Sequence, residues 1–198
     1  HLPVAIEFAI KAWADRSLSY AVHKLLLSYS LDRCTWWSMH PAHGEKFAKR
    51  SYLLRDHVAS SFAINAAFSA IEELGLEVRS SSQSPRWADS AAAVWNPKVL
   101  SDIATRLADA GIDATEGVDW IRRGEASDVE KEFKPQFTTT SPYSDGTVVR
   151  DLRITLPEAL HNCSFLRNFM TAHRFAESTS SIGPYEVFNV QSVARRLI

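Results

Sequence analysis

Apolar side chains recur at intervals near 3.6 residues in four long segments, which limits the chain to a packing of helices on helices. In the first, Ile6, Ile10, Trp13, Leu18, Val22, Leu25 and Leu26 predict one long helix to about Leu31, with Pro3 in its first turn. The second runs from Leu53 to Leu76 with Gly75 as its C-cap. Val58, Phe62, Ile64, Phe68, Ile71 and Leu74 make it apolar on nearly every side, as a central helix is. A third begins at Leu156 and runs to about Glu177, and a fourth starts at Pro184 and carries Val187, Val190, Ala194 and Leu197. A shorter helix, Lys98 to Ala110, fits between Asn96-Pro97 and Gly111.

Residues 80 to 150 otherwise lack this period. Ser80 to Pro85 punctuates the chain, and residues 112 to 150 combine Trp120, Gly124, Pro135, Pro142 and Gly146 with one short strand near Thr147 to Leu152. The expected architecture is all-α: a four-helix bundle with an irregular insertion, about residues 80–150, between the second and third long helices. Residues 1–198 then form a single domain. The chain opens at His1 without a secretory leader pattern and stops at Arg196-Leu197-Ile198 inside an apolar-periodic stretch, so it reads as part of a longer protein.

Composition removes several function classes. With 45% hydrophobic residues the chain can build an ordinary core, which excludes disorder. Lys+Arg 22 against Asp+Glu 23 gives a net charge of -1, so a nucleic-acid partner must be met by local cations rather than by a global field. No apolar run approaches the ~18 residues of a membrane span, so no membrane partner is expected. Two cysteines, Cys34 and Cys163, make no disulfide framework and fit a reducing cytoplasm. The seven glycines never come closer than six apart, so no dinucleotide fingerprint or phosphate loop can be written, and no cofactor is expected.

Two metal readings are weak. Cys34, His40 and His43 lack a fourth zinc ligand, with Pro41 and Gly44 marking an ordinary turn. Glu132-Phe133-Lys134, with Asp119 or Asp128 upstream, resembles the carboxylate and lysine set of magnesium-dependent nucleases, but a solvated charged face explains it as well.

The third long helix carries more. With Leu156 at the zero of a helical wheel, Ala159, Leu160, Cys163, Leu166 and Met170 form a stripe within about 120°. Arg167 projects at about 20°, inside that stripe, and His173 about 120° round from it. A guanidinium stays protonated, so an apolar stripe holds it only if a carboxylate, a phosphate or a water-lined cleft receives it. On the second helix Asn65, Ser69 and Glu72 share one narrow strip, which makes Glu72 the expected partner of Arg167. Arg167 and Glu72 then form either a buried structural ion pair or one wall of a phosphodiester site.

Arg167-Asn168 followed by His173, with five residues between Arg167 and His173, resembles the motif of the HEPN domains, four-helix modules of prokaryotic toxins, phage-defence effectors and RNA-cleaving enzymes. Its place late in the chain, before a terminal helix, fits that family, as does the acidic Glu72 in the second helix. The stretches Ala70 to Arg79, Trp95-Asn96-Pro97, Arg150-Asp151, Leu166-Arg167-Asn168 and Asn189-Val190-Gln191 are similar to an uncharacterised bacterial group of HEPN type. The resemblance covers the helices well and residues 97–150 poorly. HEPN toxins silenced by nucleotidyltransferase antitoxins carry Tyr two places after the His; here Phe175 stands there, with no hydroxyl to modify.

The resemblance implies a metal-independent endoribonuclease in which the ribose 2'-OH attacks phosphorus to give a 2',3'-cyclic phosphate. His173 is then the proton-transfer group, Arg167 stabilises the phosphoryl oxygens, Asn168 orients the reacting groups and Glu72 holds Arg167. RNA is the expected partner, together with a second copy of the chain, because a regular helix aims Arg167 and His173 about 120° apart. No residue identifies a regulatory partner or antitoxin. The alternative is an inactive HEPN-like module for dimerisation or RNA binding.

Overall fold

The computed structural model describes residues 2–31, 54–90, 94–123, 136–142, 148–171 and 184–198. Its elements are α1 (Leu2–Ala14), α2 (Arg16–Leu31), α3 (Leu54–Glu73), β1 (Trp87–Asp89), β2 (Val94–Trp95), α4 (Pro97–Asp109), β3 (Gly117–Arg123), β4 (Gln136–Pro142), β5 (Val148–Thr155), α5 (Leu156–Phe165), a π-helical turn (Leu166–Thr171) and α6 (Pro184–Leu197). The fold is mostly helical, with two small antiparallel sheets. Among the described residues no helix is long and apolar enough to cross a membrane.

The first predicted helix is two. Asp15 Oδ1 accepts from the backbone N–H groups of Ser17 and Leu18 at 2.9 and 3.1 Å, the geometry of an N-cap, and so begins α2 anew. None of α1 is buried; Leu2, Ile6 and Ile10 face solvent and Trp13 is 93% exposed, so the apolar period there does not mark core. α2 packs on α3 through Ala21, Leu25 and the small residues Ala63, Ala67 and Ala70, all buried. Ser28 Oγ donates to the Ala63 carbonyl at 2.7 Å and accepts from Gln191 Nε2 at 3.1 Å, tying α2, α3 and α6 together. Gly75 closes α3 as expected, with φ of 69° and Leu76 N–H returning to the Ile71 carbonyl.

α3 packs against α2, α6 and the π turn, as expected of a central helix, with Ala63, Ile64, Ala67, Phe68, Ala70 and Ile71 buried, but it is not enclosed on every side, since Val58 and Phe62 are exposed. α5 is the more enclosed: every residue from Leu156 to Ser164 except Glu158 is buried. It starts directly from β5 through a capping box, in which Thr155 N–H donates to Glu158 Oε2 at 2.6 Å.

The stretch expected to be an irregular insertion contains most of a three-stranded sheet in the order β3-β5-β4 and contributes to the core. Val118 and Trp120 of β3, with Leu152 and Ile154 of β5, join the same buried cluster as the helices, and so do Val99, Ile103 and Leu107 of α4. The intervening Asp119 and Arg153 are cross-strand partners on the outer face and form an ion pair at 2.7 Å. Val118, Trp120, Leu152 and Ile154 are buried while Asp119 and Arg153 between them are exposed, and Ile121 is buried on the other face beside Tyr185, so the fold is not purely α.

α6 locks onto β3 through one amide. Asn189 Oδ1 accepts from Ile121 N–H at 2.9 Å and its Nδ2 donates to the Ile121 carbonyl at 2.8 Å, with both residues buried. Replacing Asn189 by Ala leaves a buried donor and a buried acceptor unmet, an expected loss of about 2–4 kcal/mol of unfolding free energy. Arg153→Ala, which breaks only the exposed Asp119 pair, is expected to cost at most about 1 kcal/mol. Urea unfolding of both variants against wild type checks the ranking; equal losses would remove Asn189 from its joining role.

Candidate functional site

The buried helix α5 carries polar side chains where only apolar ones pack without help. His161, Asn162 and Ser164 are all nearly inaccessible, so any partner they have must come from within the protein. The segment before α4 supplies the partner for two of them. Arg86 Nη1 is hydrogen-bonded to His161 Nδ1, and Arg86 Nη2 donates to Ser164 Oγ at 3.4 Å.

That arginine is placed by its neighbours. Asn96, the N-cap of α4, accepts from Lys98 N–H at 3.0 Å; its own N–H donates to the Arg86 carbonyl and its Nδ2 to the Pro85 carbonyl, both at 2.9 Å. The β1 and β2 partners Trp87 and Trp95 lie 4.6 Å apart between ring centroids, and both present edge geometry to His161, at 5.0 and 6.1 Å. A guanidinium only donates, so His161 Nδ1 is the accepting nitrogen and the neutral ring carries its proton on Nε2. Burial, reinforced by the positive charge of Arg86, holds the imidazole down to a pKa of about 3.

From Ser164 the polar chain continues into the predicted motif. Asn168 Nδ2 donates to Ser164 Oγ at 3.3 Å, and Arg167 Nη1 donates to Asn168 Oδ1 at 2.7 Å. Arg167 and Asn168 are half-buried, and the Arg167 guanidinium stands 6.0 Å over the Phe68 ring of α3. Thr171 Oγ1 lies 2.7 Å from Asn65 Oδ1 and 3.0 Å from the Arg167 carbonyl oxygen. Arg167, Asn168 and Thr171 fall on the π-helical turn, a rare geometry that recurs at functional sites.

Arg167 and Asn168 are thus brought together, and Glu72 is not brought to them. Thr171 against Asn65 and Arg167 over Phe68 run the two segments antiparallel, so Glu72 falls a further turn along α3, past Arg167. It is exposed and forms no ion pair with Arg167; its neighbour Glu73 instead pairs with Lys24 at 2.7 Å. The expected Glu72 support for Arg167 is therefore replaced by a neutral one, Asn168. His173 lies outside the described residues, as do Cys34, His40, His43, Asp128, Glu132, Lys134 and Phe175. The angle of about 120° between Arg167 and His173 assumed α geometry throughout, and the π turn over Leu166–Thr171 removes that assumption. Asp119, the upstream member of the metal-nuclease alternative, is exposed and paired with Arg153. Cys163 is fully buried and its thiol is pushed up by burial, so it stays an unreactive thiol.

Arg86, His161 and Ser164 are absent from the sequence reading. The wheel counted only the apolar members of α5, whereas the polar ones are equally enclosed.

Neutral His161 gains a proton only on unfolding, so between its ordinary value of 6.5 and about 3 the unfolded state binds more protons and stability falls as pH falls. The loss approaches about 1.4 kcal/mol per pH unit inside that window. Between pH 7.5 and pH 5, wild type is expected to lose about 2 kcal/mol more than His161→Phe in urea unfolding. Parallel losses would show that the imidazole is charged or open to water.

Compared with known protein families, curated proteins and solved structures, the chain matches none.

Proposed function

We propose that the chain is a HEPN-type endoribonuclease that acts without a metal ion, as a cytoplasmic homodimer with the role of a toxin or phage-defence effector. The observation that carries this reading is the state of Arg167: a half-buried guanidinium with no carboxylate paired to it among the described residues, oriented by neutral Asn168 on a π turn. A cation held out of bulk water and left unneutralised is costly by itself and is repaid by an anion that binds there. A backbone phosphate suits a planar fork of donors.

In this reading the 2'-oxygen bonds to phosphorus as its proton leaves to a base, the P–O5' bond breaks, and the departing oxygen takes up a proton. His173 is one of the proton-transfer groups, imidazole being the side chain whose unperturbed pKa lies near working pH. Arg167 meets the negative charge that grows on the phosphoryl oxygens, and Asn168 keeps the guanidinium plane fixed before substrate arrives. A homodimer sets two copies of the motif in one cleft.

Purified protein is expected to cut single-stranded RNA in EDTA, leaving 2',3'-cyclic phosphate ends. His173→Ala and Arg167→Ala are each expected to lower the rate by about 100-fold or more, with far-UV circular dichroism unchanged. Cleavage that requires magnesium and survives His173→Ala would overturn the proposal in favour of Glu132 and Lys134. RNA that is bound and never cut would assign the inactive binding module.

A further inference from the structure

We infer that α1 and α2 carry a self-association surface, on which a second copy of the chain packs antiparallel across a two-fold axis. Ile6, Trp13, Tyr20 and Leu27 follow one another at intervals of seven residues, and each is more than half exposed, Trp13 by 93%. Seven residues are two helical turns to within about 20°, so Ile6 and Trp13 share a face of α1, and Tyr20 and Leu27 a face of α2. Helical hydrogen bonds continue across the join between them: Asp15 N–H donates to the Lys11 carbonyl and Ser19 N–H to the Asp15 carbonyl, both at 2.9 Å. A row of large apolar groups spaced by heptads is the seam along which two helices pair.

Nothing in α1 is covered by the fold. The helix has 13 residues, none of them buried, and its packing is against α2. A helix of that length is marginal in water without tertiary support. With Leu2 and Ile10, the row leaves about 800 Å² of side-chain surface in water, which is one partner's share of a standard-size interface and more than a monomer ordinarily exposes in one patch.

The spacing favours a second copy as the partner. An isologous pair has to be complementary to itself, and turning this row about an axis between Arg16 and Ser17 lays Ile6 on Leu27 and Trp13 on Tyr20. Every large group then meets another. Charge does not oppose the approach, because Glu7 pairs with Lys11 at 2.9 Å and Lys24 with Glu73 at 2.7 Å, each within one chain. A lipid surface fits less well: helices that lie on membranes carry a polar face rich in Lys and Arg, whereas α1 has one lysine, Lys11, already neutralised by Glu7. The surface lies outside the Arg167 motif, and the inference does not rest on the ribonuclease reading.

The test is sedimentation velocity of the whole chain over a range of concentrations. Wild type is expected to form dimers with a dissociation constant of about 1 μM or tighter. Trp13→Glu is expected to weaken association by about 100-fold or more, with cooperative urea unfolding retained because Trp13 is no part of the core. Tyr20→Lys is expected to do the same. An equal mixture of the two variants is expected to recover dimers, since one crossing keeps Trp13 against Tyr20 and the other sets a carboxylate against an ammonium, which neither variant can achieve alone.

A wild type that stays monomeric to about 100 μM, far above the range for an interface of this size, overturns the inference. So does a dimer indifferent to Trp13→Glu, or a mixture no more associated than its two components. Monomers that float with phosphatidylcholine vesicles would overturn it in favour of a lipid surface. A monomer that cuts RNA in EDTA would overturn this inference and leave the chemistry of the ribonuclease reading standing.

Discussion

A helix enclosed on every side cannot turn a polar residue away from the core, and α5 is enclosed with three of them. Each buried polar group left without a partner costs on the order of 1–3 kcal/mol, so the positions of His161 and Ser164 favour a donor such as Arg86 beside them. The requirement reaches far along the chain. Arg86 arrives from a separate segment 75 residues earlier in sequence, and that segment is held by Asn96, which at the same time starts α4. The cap, the tryptophan pair and the arginine are successive consequences of one buried imidazole. Because the network continues through Ser164 into Asn168 and Arg167, the geometry of the candidate site is set by the same interactions that make the core specific.

The helices and the sheet are coupled with equal economy. Gln191 and Asn189 lie two residues apart on α6; one reaches Ser28 and through it the α3 carbonyl of Ala63, the other the backbone of β3. A shift of α6 therefore breaks buried hydrogen bonds on two sides. The π turn lies against α3 at Asn65 and Phe68, so the place of Arg167 is tied to that helix.

Much of the helical framework was legible from spacing. Gly75 as a C-cap, Pro97 and Pro184 as helix starts and Leu156 as the start of α5 are local signals with local causes, and they hold. Of the sheet only one strand was legible, near Thr147 to Leu152, where β5 runs; its pairing with β3 was not, although Val118-Asp119-Trp120 and Leu152-Arg153-Ile154 alternate apolar and charged residues. Three residues of alternation are short of what separates a strand from chance, and their pairing spans about thirty residues of chain. Periodicity also misled at α1, where the apolar stripe is exposed. At the site, Arg167 could be singled out because a charge in an apolar stripe is conspicuous, and Asn168 only through the resemblance of the motif. His161 could not: a wheel puts it about 140° from Leu156, on the side that a half-buried helix shows to water. Only the knowledge that α5 is enclosed on both faces turns that histidine into a buried group that needs a partner.

The amide of Asn189 has one more effect. Among the described residues β3 ends the order β3-β5-β4, and an end strand offers unpaired backbone groups to any other extended chain. By accepting from and donating to Ile121, Asn189 imitates the backbone of a further strand and occupies the position where such a chain would begin to pair. A single side chain thus blunts this end of the sheet against runaway strand addition, a protection of solubility that no count of native contacts would reveal.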